Sequence, residues 1–262
     1  MVAMLRDCIY GQAVGDALGV PYEFMPRDTF ECVDMVGYGT HGQPPGTWSD
    51  DTSMALAICD SYRELGRIDV ADIREKFLAW YRDGAYSCDG LFDIGNATAT
   101  ALRLGHGLSG ERDNGNGSLM RTVPLAFTDA TDNEVRAVSA ITHAHVTSTE
   151  ACVGMVGAAR SLISGKQARE VVLAYGVDPD RPRSAIRSSG YVRHTLEAAL
   201  WCLANTASYR DCVLLAVNLG DDTDTTGAVA GALAGIFYGM DGIPAEWLEV
   251  LRGKDVIERC LF

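Results

Sequence analysis

Three short acidic clusters interrupt otherwise apolar stretches, and their residue types point to a hard cation. The first is Gly15-Asp16-Ala17-Leu18-Gly19, followed by Glu23. The second is Trp48-Ser49-Asp50-Asp51-Thr52, and the third runs from Gly220 through Asp221, Asp222, Thr223, Asp224, Thr225 and Thr226 to Gly227. In the second and third, Asp and Ser/Thr stand just before a long apolar helix. One residue in each is accounted for as an N-cap, whose oxygen accepts a backbone N–H and whose charge complements the helix dipole. The remaining carboxylates are not. Crowded carboxylates repel unless a cation or a proton offsets them, and no Lys, Arg or His occurs between positions 211 and 251. A divalent ion is the natural counter-charge. An all-oxygen set of carboxylates and hydroxyls suits Mg²⁺, Mn²⁺ or Ca²⁺ rather than zinc. If the second and third clusters converge, they bring together Ser49, Asp50, Asp51, Asp222, Asp224 and Thr225. That set is too rich for one octahedral ion and suits a pair of ions completed by water.

Other chemistries fail on spacing. Gly165-Lys166 has Arg160 where the first glycine of a P-loop belongs, and Gly115-Asn116-Gly117 has Met120 in place of the third glycine of a dinucleotide fingerprint. There is no HExxH and no His-Asp dipeptide. His143 and His145 are two apart and do not share a helix face, so they are not expected to hold one ion. His143 is expected to contact a ligand from a helix end.

The elements that must position these groups read as helices. Apolar residues recur at spacings of three and four over 51–65, 70–82, 132–143, 148–164, 191–205 and 209–219, and no stretch sustains two-residue alternation. Two segments carry glycine at every fourth position: Gly11, Gly15 and Gly19, then Gly227, Gly231, Gly235 and Gly239. A helical glycine costs about 1 kcal/mol relative to alanine, so such rows imply close backbone approach between central helices. Each row adjoins an acidic cluster. Two stretches are irregular. Residues 37–48 hold four glycines and two prolines and suit a hinged flap that moves with Glu23. Residues 178–189 are either a functional loop or a plain connection.

The 262 residues, 47% hydrophobic and 22% charged, fit a globular chain and exclude a disordered one. One domain over 1–262 is the economical division, because no linker or repeat cuts the chain. The net charge of −13 argues against nucleic acid or an anionic membrane as partner. Eight cysteines without a CxxC pair read as reduced core thiols, which fits a cytoplasmic location. The N-terminal residues do not form a signal peptide, and no apolar run is long enough to span a membrane.

The sequence resembles the ADP-ribosylglycohydrolase family, which includes the dinitrogenase reductase activating glycohydrolases. The matching pieces are GQAVGDALGVPYEF at 11–24, GTWSDDTSMAL at 46–56, DIGNAT at 93–98, GNGSLMR at 115–121, THAH at 142–145 and GDDTDTTGAVAGALAG at 220–235. The resemblance implies an all-α fold, a compact multi-helix orthogonal bundle. It implies two Mg²⁺ or Mn²⁺ ions held by Ser49, Asp50 and Asp51 from one helix start and by Asp222, Asp224 and Thr225 from the other. Ser49 stands where many relatives have threonine. The implied reaction is hydrolysis of the bond between ADP-ribose C1″ and an acceptor, releasing ADP-ribose. Glu23, Asp93 and Asp51 are the catalytic candidates, with Glu23 near metals and ribose. Asn96 joins Asp93 in lining the ribose side. Gly115, Asn116, Gly117 and Ser118 would accommodate the diphosphate and distal ribose, His143 the ligand cleft, and Asp16 would brace the metal shell. The expected partner is an ADP-ribosylated protein or an ADP-ribosyl small molecule, met by a monomer; nucleic acid enters only as an ADP-ribosylated substrate. The acceptor stays open among arginine, serine, a nucleobase and a small molecule. The alternative is a catalytically silent ADP-ribose-binding homologue.

Overall fold

In the computed structural model, which describes residues 2–262, the chain folds into α1 (Val2–Gly19), α2 (Asp50–Leu65), α3 (Val70–Asp83), α4 (Asn96–Leu104), α5 (Asp132–Ser139) and α6 (Val146–Ile163). There follow α7 (Ala168–Ala174), α8 (Val192–Ala204), α9 (Tyr209–Val217), α10 (Thr223–Tyr238), α11 (Ala245–Val250) and α12 (Lys254–Cys260). Short 3₁₀ turns connect several of them. Among the described residues there is no sheet, only isolated bridges such as Leu108 with His143 and Gly115 with Tyr191.

The two glycine-striped segments become α1 and α10, which lie against each other at the centre of the molecule. Gly11 faces Gly231, Gly15 faces Gly227 and Gly19 faces Thr223 and Asp224. Numbers rise along one helix as they fall along the other, so the pair is antiparallel. A Cβ on Gly15 would lie 2.1 Å from the Gly227 carbonyl oxygen, and one on Gly227 would lie 2.4 Å from that of Gly15. Contact of that kind leaves no room for any side chain. Gly239 ends the row differently: it follows the last turn of α10 and takes φ 73°. Around this axis α6, α8 and α9 pack on α10, while α2 packs on α1 and carries α3 and α12 on its other sides. A single core cluster runs through the whole, from Leu5 and Ile9 through Trp80 and Leu125 to Trp247 and Ile257.

The helical periodicity locates α2, α3, α6, α8 and α9 to within two residues at each end. The stretch 132–143 ends early, at Ser139. Leu108 captures the next turn from outside: its N–H donates to the Thr142 carbonyl (2.9 Å), and its carbonyl accepts from Ala144 N–H (2.7 Å). His143 therefore sits in a pinned turn beyond the helix rather than on its last turn. The eight cysteines are all unpaired thiols, and seven are buried. No described helix is long and apolar enough to cross a membrane.

Candidate active site

The antiparallel α1–α10 pair and the start of α2 bring all three acidic clusters together. Asp16, on the last turn of α1, faces the start of α2. One of its oxygens accepts from Ser49 N–H (2.9 Å); the other accepts from Thr52 N–H (3.1 Å) and the Thr52 hydroxyl (2.6 Å). It thus braces the start of α2. Ser49 caps α2 and donates its own hydroxyl to Asp51 (2.9 Å). Asp222 begins α10, yet its carboxylate makes no capping hydrogen bond. Instead one oxygen accepts from the Asn116 amide (2.8 Å). The capping explanation therefore fails for Asp222 and holds for Ser49.

Carboxylate oxygens of Asp16, Asp51 and Asp224 lie within 4.8 Å of one another, as do those of Glu23, Asp222 and Asp224. Asp224 belongs to both groups. Asp51 Oδ1, Asp222 Oδ1 and Asp224 Oδ2 are buried and meet no hydrogen-bond donor within the protein. Buried charged oxygens without a partner are costly, and an ion drawing on both groups would satisfy all three. The donor set is all oxygen, as hard cations require. These residues fit a divalent metal. Burial, reinforced by neighbouring carboxylates, holds the carboxyls of Asp50, Asp51 and Asp224 well above the usual range. Burial also pushes Asp16 up to about 7 against the hydrogen bonds it accepts, and raises Asp222.

Above this floor opens a cavity of about 590 Å³, within the size that small ligands occupy. Glu23, Asp50, Asp93, Asn96, Gly115, Asn116, Gly117, His143, Asp222 and Thr225 line it. Ser49, Asp51 and Asp224 lie beneath, buried. Two expectations are corrected here. Ser118 does not reach the cavity: its hydroxyl is fully buried, accepting from Ser139 Oγ (2.9 Å) beside Cys152 Sγ (3.4 Å). Asp51, expected to be catalytic, is likewise sealed from the cavity, beneath its floor. Asn116 lines the wall, but its side-chain amide is committed to Asp222 and to Thr195 Oγ1 (2.9 Å).

The glycine-rich wall is rigid. Asn116 N–H donates to the Gly190 carbonyl and Val192 N–H to that of Asn114, both at 3.0 Å. The fully buried Arg121 donates to the Gly117 carbonyl (2.8 Å) and to Thr142 Oγ1 (2.8 Å). Thr142, accepting from Arg121, is free to donate to His143 Nδ1 (2.8 Å). That assignment leaves the proton on His143 Nε2, the nitrogen beside Gly115. Burial, aided by the Arg121 charge, lowers the imidazole to about 3, so it stays neutral.

His41 escaped the sequence reading. It lies in the glycine- and proline-rich loop, where nothing in the spacing marks it, and only the folded loop returns it to Glu23. Its Nε2 pairs with Glu23 Oε2, and Thr40 Oγ1 donates to the Glu23 carbonyl (2.8 Å). Burial raises Glu23 to about 7, with the His41 contact opposing and Asp93 reinforcing the rise. The hydrogen bond to Glu23 raises His41 in turn. The loop is also firmly seated. A Cβ at Gly39 would lie 2.0 Å from the Pro21 carbonyl oxygen, and one at Gly46 2.2 Å from that of Val250. These glycines serve close approach rather than hinging.

An acidic floor with unpartnered oxygens beneath a glycine-walled cleft, in an all-α frame, defines a class of hydrolase that the chain's relatives identify. The family model described as ADP-ribosylglycohydrolase matches residues 3–261, and the chain belongs to that family. It is 39% identical to the ADP-ribosylarginine hydrolase Tri1 of Serratia proteamaculans, over 96% of this chain and 76% of that protein. It is 35% identical to the ADP-ribosyl-[dinitrogen reductase] glycohydrolase of Rhodospirillum rubrum, over 93% and 88%. A solved structure described as an ADP-ribosylglycohydrolase-related protein complex superimposes with a TM-score of 0.82 at 32% identity, covering 99% of this chain and 96% of that one.

Proposed function

We propose that this chain, acting as one domain, is a hydrolase that needs two Mg²⁺ or Mn²⁺ ions and cleaves the bond between ADP-ribose C1″ and an arginine side chain. The observation that carries the metal requirement is the set of three unpartnered buried carboxylate oxygens at the foot of the cavity. The arginine acceptor is supported by the relatives named as ADP-ribosylarginine hydrolases. Ser49, Asp50, Asp51, Asp222, Asp224 and Thr225 would hold the ions. Such cations supply charge neutralisation, orientation of ribose hydroxyls and acidification of water.

The chain's own residues account for the rest. Cleavage builds oxocarbenium character at C1″, which the carboxylates of Glu23 and Asp93 face from the cavity wall. Glu23, aimed by its contact with His41, takes a proton from the attacking water. The proton that Glu23 takes passes to the guanidino nitrogen as its bond to C1″ breaks, and the Asp93 carboxylate lies beside Glu23, within 4.8 Å. Gly115 and Gly117 let backbone approach the diphosphate closely, and the neutral His143 donates from Nε2. Asn96 lines the ribose side.

Incubation of the protein with an ADP-ribosylarginine protein, with Mg²⁺ or Mn²⁺ and separately with chelator, tests this reading. Free ADP-ribose and unmodified arginine are expected with metal and not with chelator. Inertness toward the arginine conjugate under both conditions would overturn it.

A further inference from the structure

Phe24 is a large apolar side chain left 67% exposed at the mouth of the cavity, immediately after Glu23. Its backbone takes φ 66°, a left-handed conformation that a bulky residue rarely adopts. The surroundings enforce that conformation. Phe24 N–H donates to the Asp221 carbonyl (2.6 Å), and Asp221, itself at φ 60°, donates its N–H to the Met25 carbonyl (2.9 Å). Two strained residues thus clasp each other through the backbone. Glu23 and Asp222 face the cavity beside the clasp, and the Phe24 ring stays out of the core. Phe24 makes one aromatic contact, a tilted approach to His41 at 6.2 Å between ring centroids, and Phe92 packs on His41 at 5.4 Å. Asp93, next to Phe92, also takes a left-handed φ, 49°. Its carboxylate lies within 4.8 Å of both Glu23 and His41.

Two kinds of wall therefore face the same cavity. One is glycine backbone with a neutral His143, suited to an anionic diphosphate. The other is an open aromatic face beside carboxylates. A planar cation is the chemistry that second wall recognises, since a guanidinium stacks on an aromatic ring while its N–H groups fork onto a carboxylate. A serine hydroxyl or an acyl ester offers neither the charge nor the plane.

The geometry points to Phe24 and Asp93 as the acceptor subsite, selecting a guanidinium over neutral acceptors. Phe24 supplies the stacking face and Asp93 the ion-pairing edge, with His41 and Phe92 backing them. This rests on the arginine reading above.

The test uses Phe24→Leu, which keeps an apolar side chain and removes the π face, and Phe24→Tyr, which restores it. Both are assayed with metal-loaded protein on ADP-ribosylarginine, and ADP-ribose binding is measured separately by calorimetry. Phe24→Leu is expected to lower kcat/KM about tenfold, with most of the loss in KM, in the range of a desolvated cation–π contact. Phe24→Tyr should recover activity to within about threefold of the parent, and ADP-ribose affinity should change less than about twofold in both. A Phe24→Leu variant as active as the parent would overturn the subsite alone, and so would an ADP-ribose affinity that falls in step with activity. A parent protein that binds ADP-ribose yet leaves ADP-ribosylarginine intact would overturn the arginine reading on which the subsite rests.

Discussion

Asp224 carries an oxygen that meets no donor in the protein, and it belongs to both carboxylate groups at the floor of the site. Replacing it with alanine should cost activity at least a hundredfold, roughly the loss expected when a metal ligand is removed. Because burial and neighbouring charges already make its ionised form unfavourable, Asp224→Ala in chelator should melt no lower than the parent. In Mn²⁺ it should lose the rise in Tm that binding confers on the parent. Turnover at saturating Mg²⁺, or a large fall in Tm in chelator, would contradict this. The same oxygens show why the proposed metal ligands are the most legible part of the site. Their residue types announce the chemistry, and adjacency in the chain keeps each half together. His41 and Phe24 announce nothing in sequence. One gains its role from a loop that folds back over Glu23, the other from a φ angle imposed by Asp221.

At the level of helices, the glycine rows on α1 and α10 define the metal site's frame. Gly15→Ala would gain about 1 kcal/mol in helix propensity. That gain is outweighed by a Cβ set 2.1 Å from a carbonyl oxygen of a helix that cannot yield locally. Overpacking of this kind costs about 3 kcal/mol or more, so Tm should drop by roughly 5–10 °C. Metal affinity should fall as well, because the helices carrying Asp16 and Asp224 are forced apart. Gly154, inside α6, is the contrast: its Cβ would meet Leu196 Cδ2 at 3.7 Å and Tyr175 Cδ1 at 4.0 Å, both ordinary van der Waals contacts. Gly154→Ala should stabilise by roughly 0.5–1 kcal/mol. Thermal melts of the two variants side by side check both signs. The glycine rows are legible because helical glycine is costly wherever packing does not require it. The short helices α7, α11 and α12 are not, because a periodicity sampled over six or seven residues does not separate from loop. The early end of α5 was hidden for another reason, since its cause is Leu108, some thirty positions upstream.

For the molecule as a whole, the pH dependence of stability sets the raised carboxyls of the acidic floor against the buried His143, whose lowered affinity for protons disfavours the folded state as pH falls below about 6.5. Asp16 and Glu23 rise from ordinary values of 3.8 and 4.5 to about 7 on folding. A carboxyl raised on folding binds more protons in the native than in the unfolded state, so stability declines as pH climbs from about 4 to about 7. His41, raised by its contact with Glu23, acts in the same sense, since its contribution is lost as pH rises through its folded value. In chelator, Tm should therefore fall between about pH 6.5, above which His143 no longer contributes, and pH 8. Mn²⁺ should flatten or invert that slope, because the ion displaces these protons and binds more tightly as pH rises. A chelator-treated protein that is more stable at pH 8 than at pH 6.5 would show that these groups are ionised without an ion.

The antiparallel pairing of α1 with α10 also has a consequence for biosynthesis. The Thr223 hydroxyl donates to the Gly19 carbonyl across 204 positions of chain (2.7 Å). On the ribosome α1 thus waits for a helix 204 positions later before its glycine face is covered. At about 5–20 residues per second, that interval is on the order of ten seconds or more. Throughout it, half of the carboxylate set exists without the other half. Contacts this distant in sequence slow folding. A nascent chain therefore completes its carboxylate floor abruptly, after Asp224 emerges, rather than by degrees.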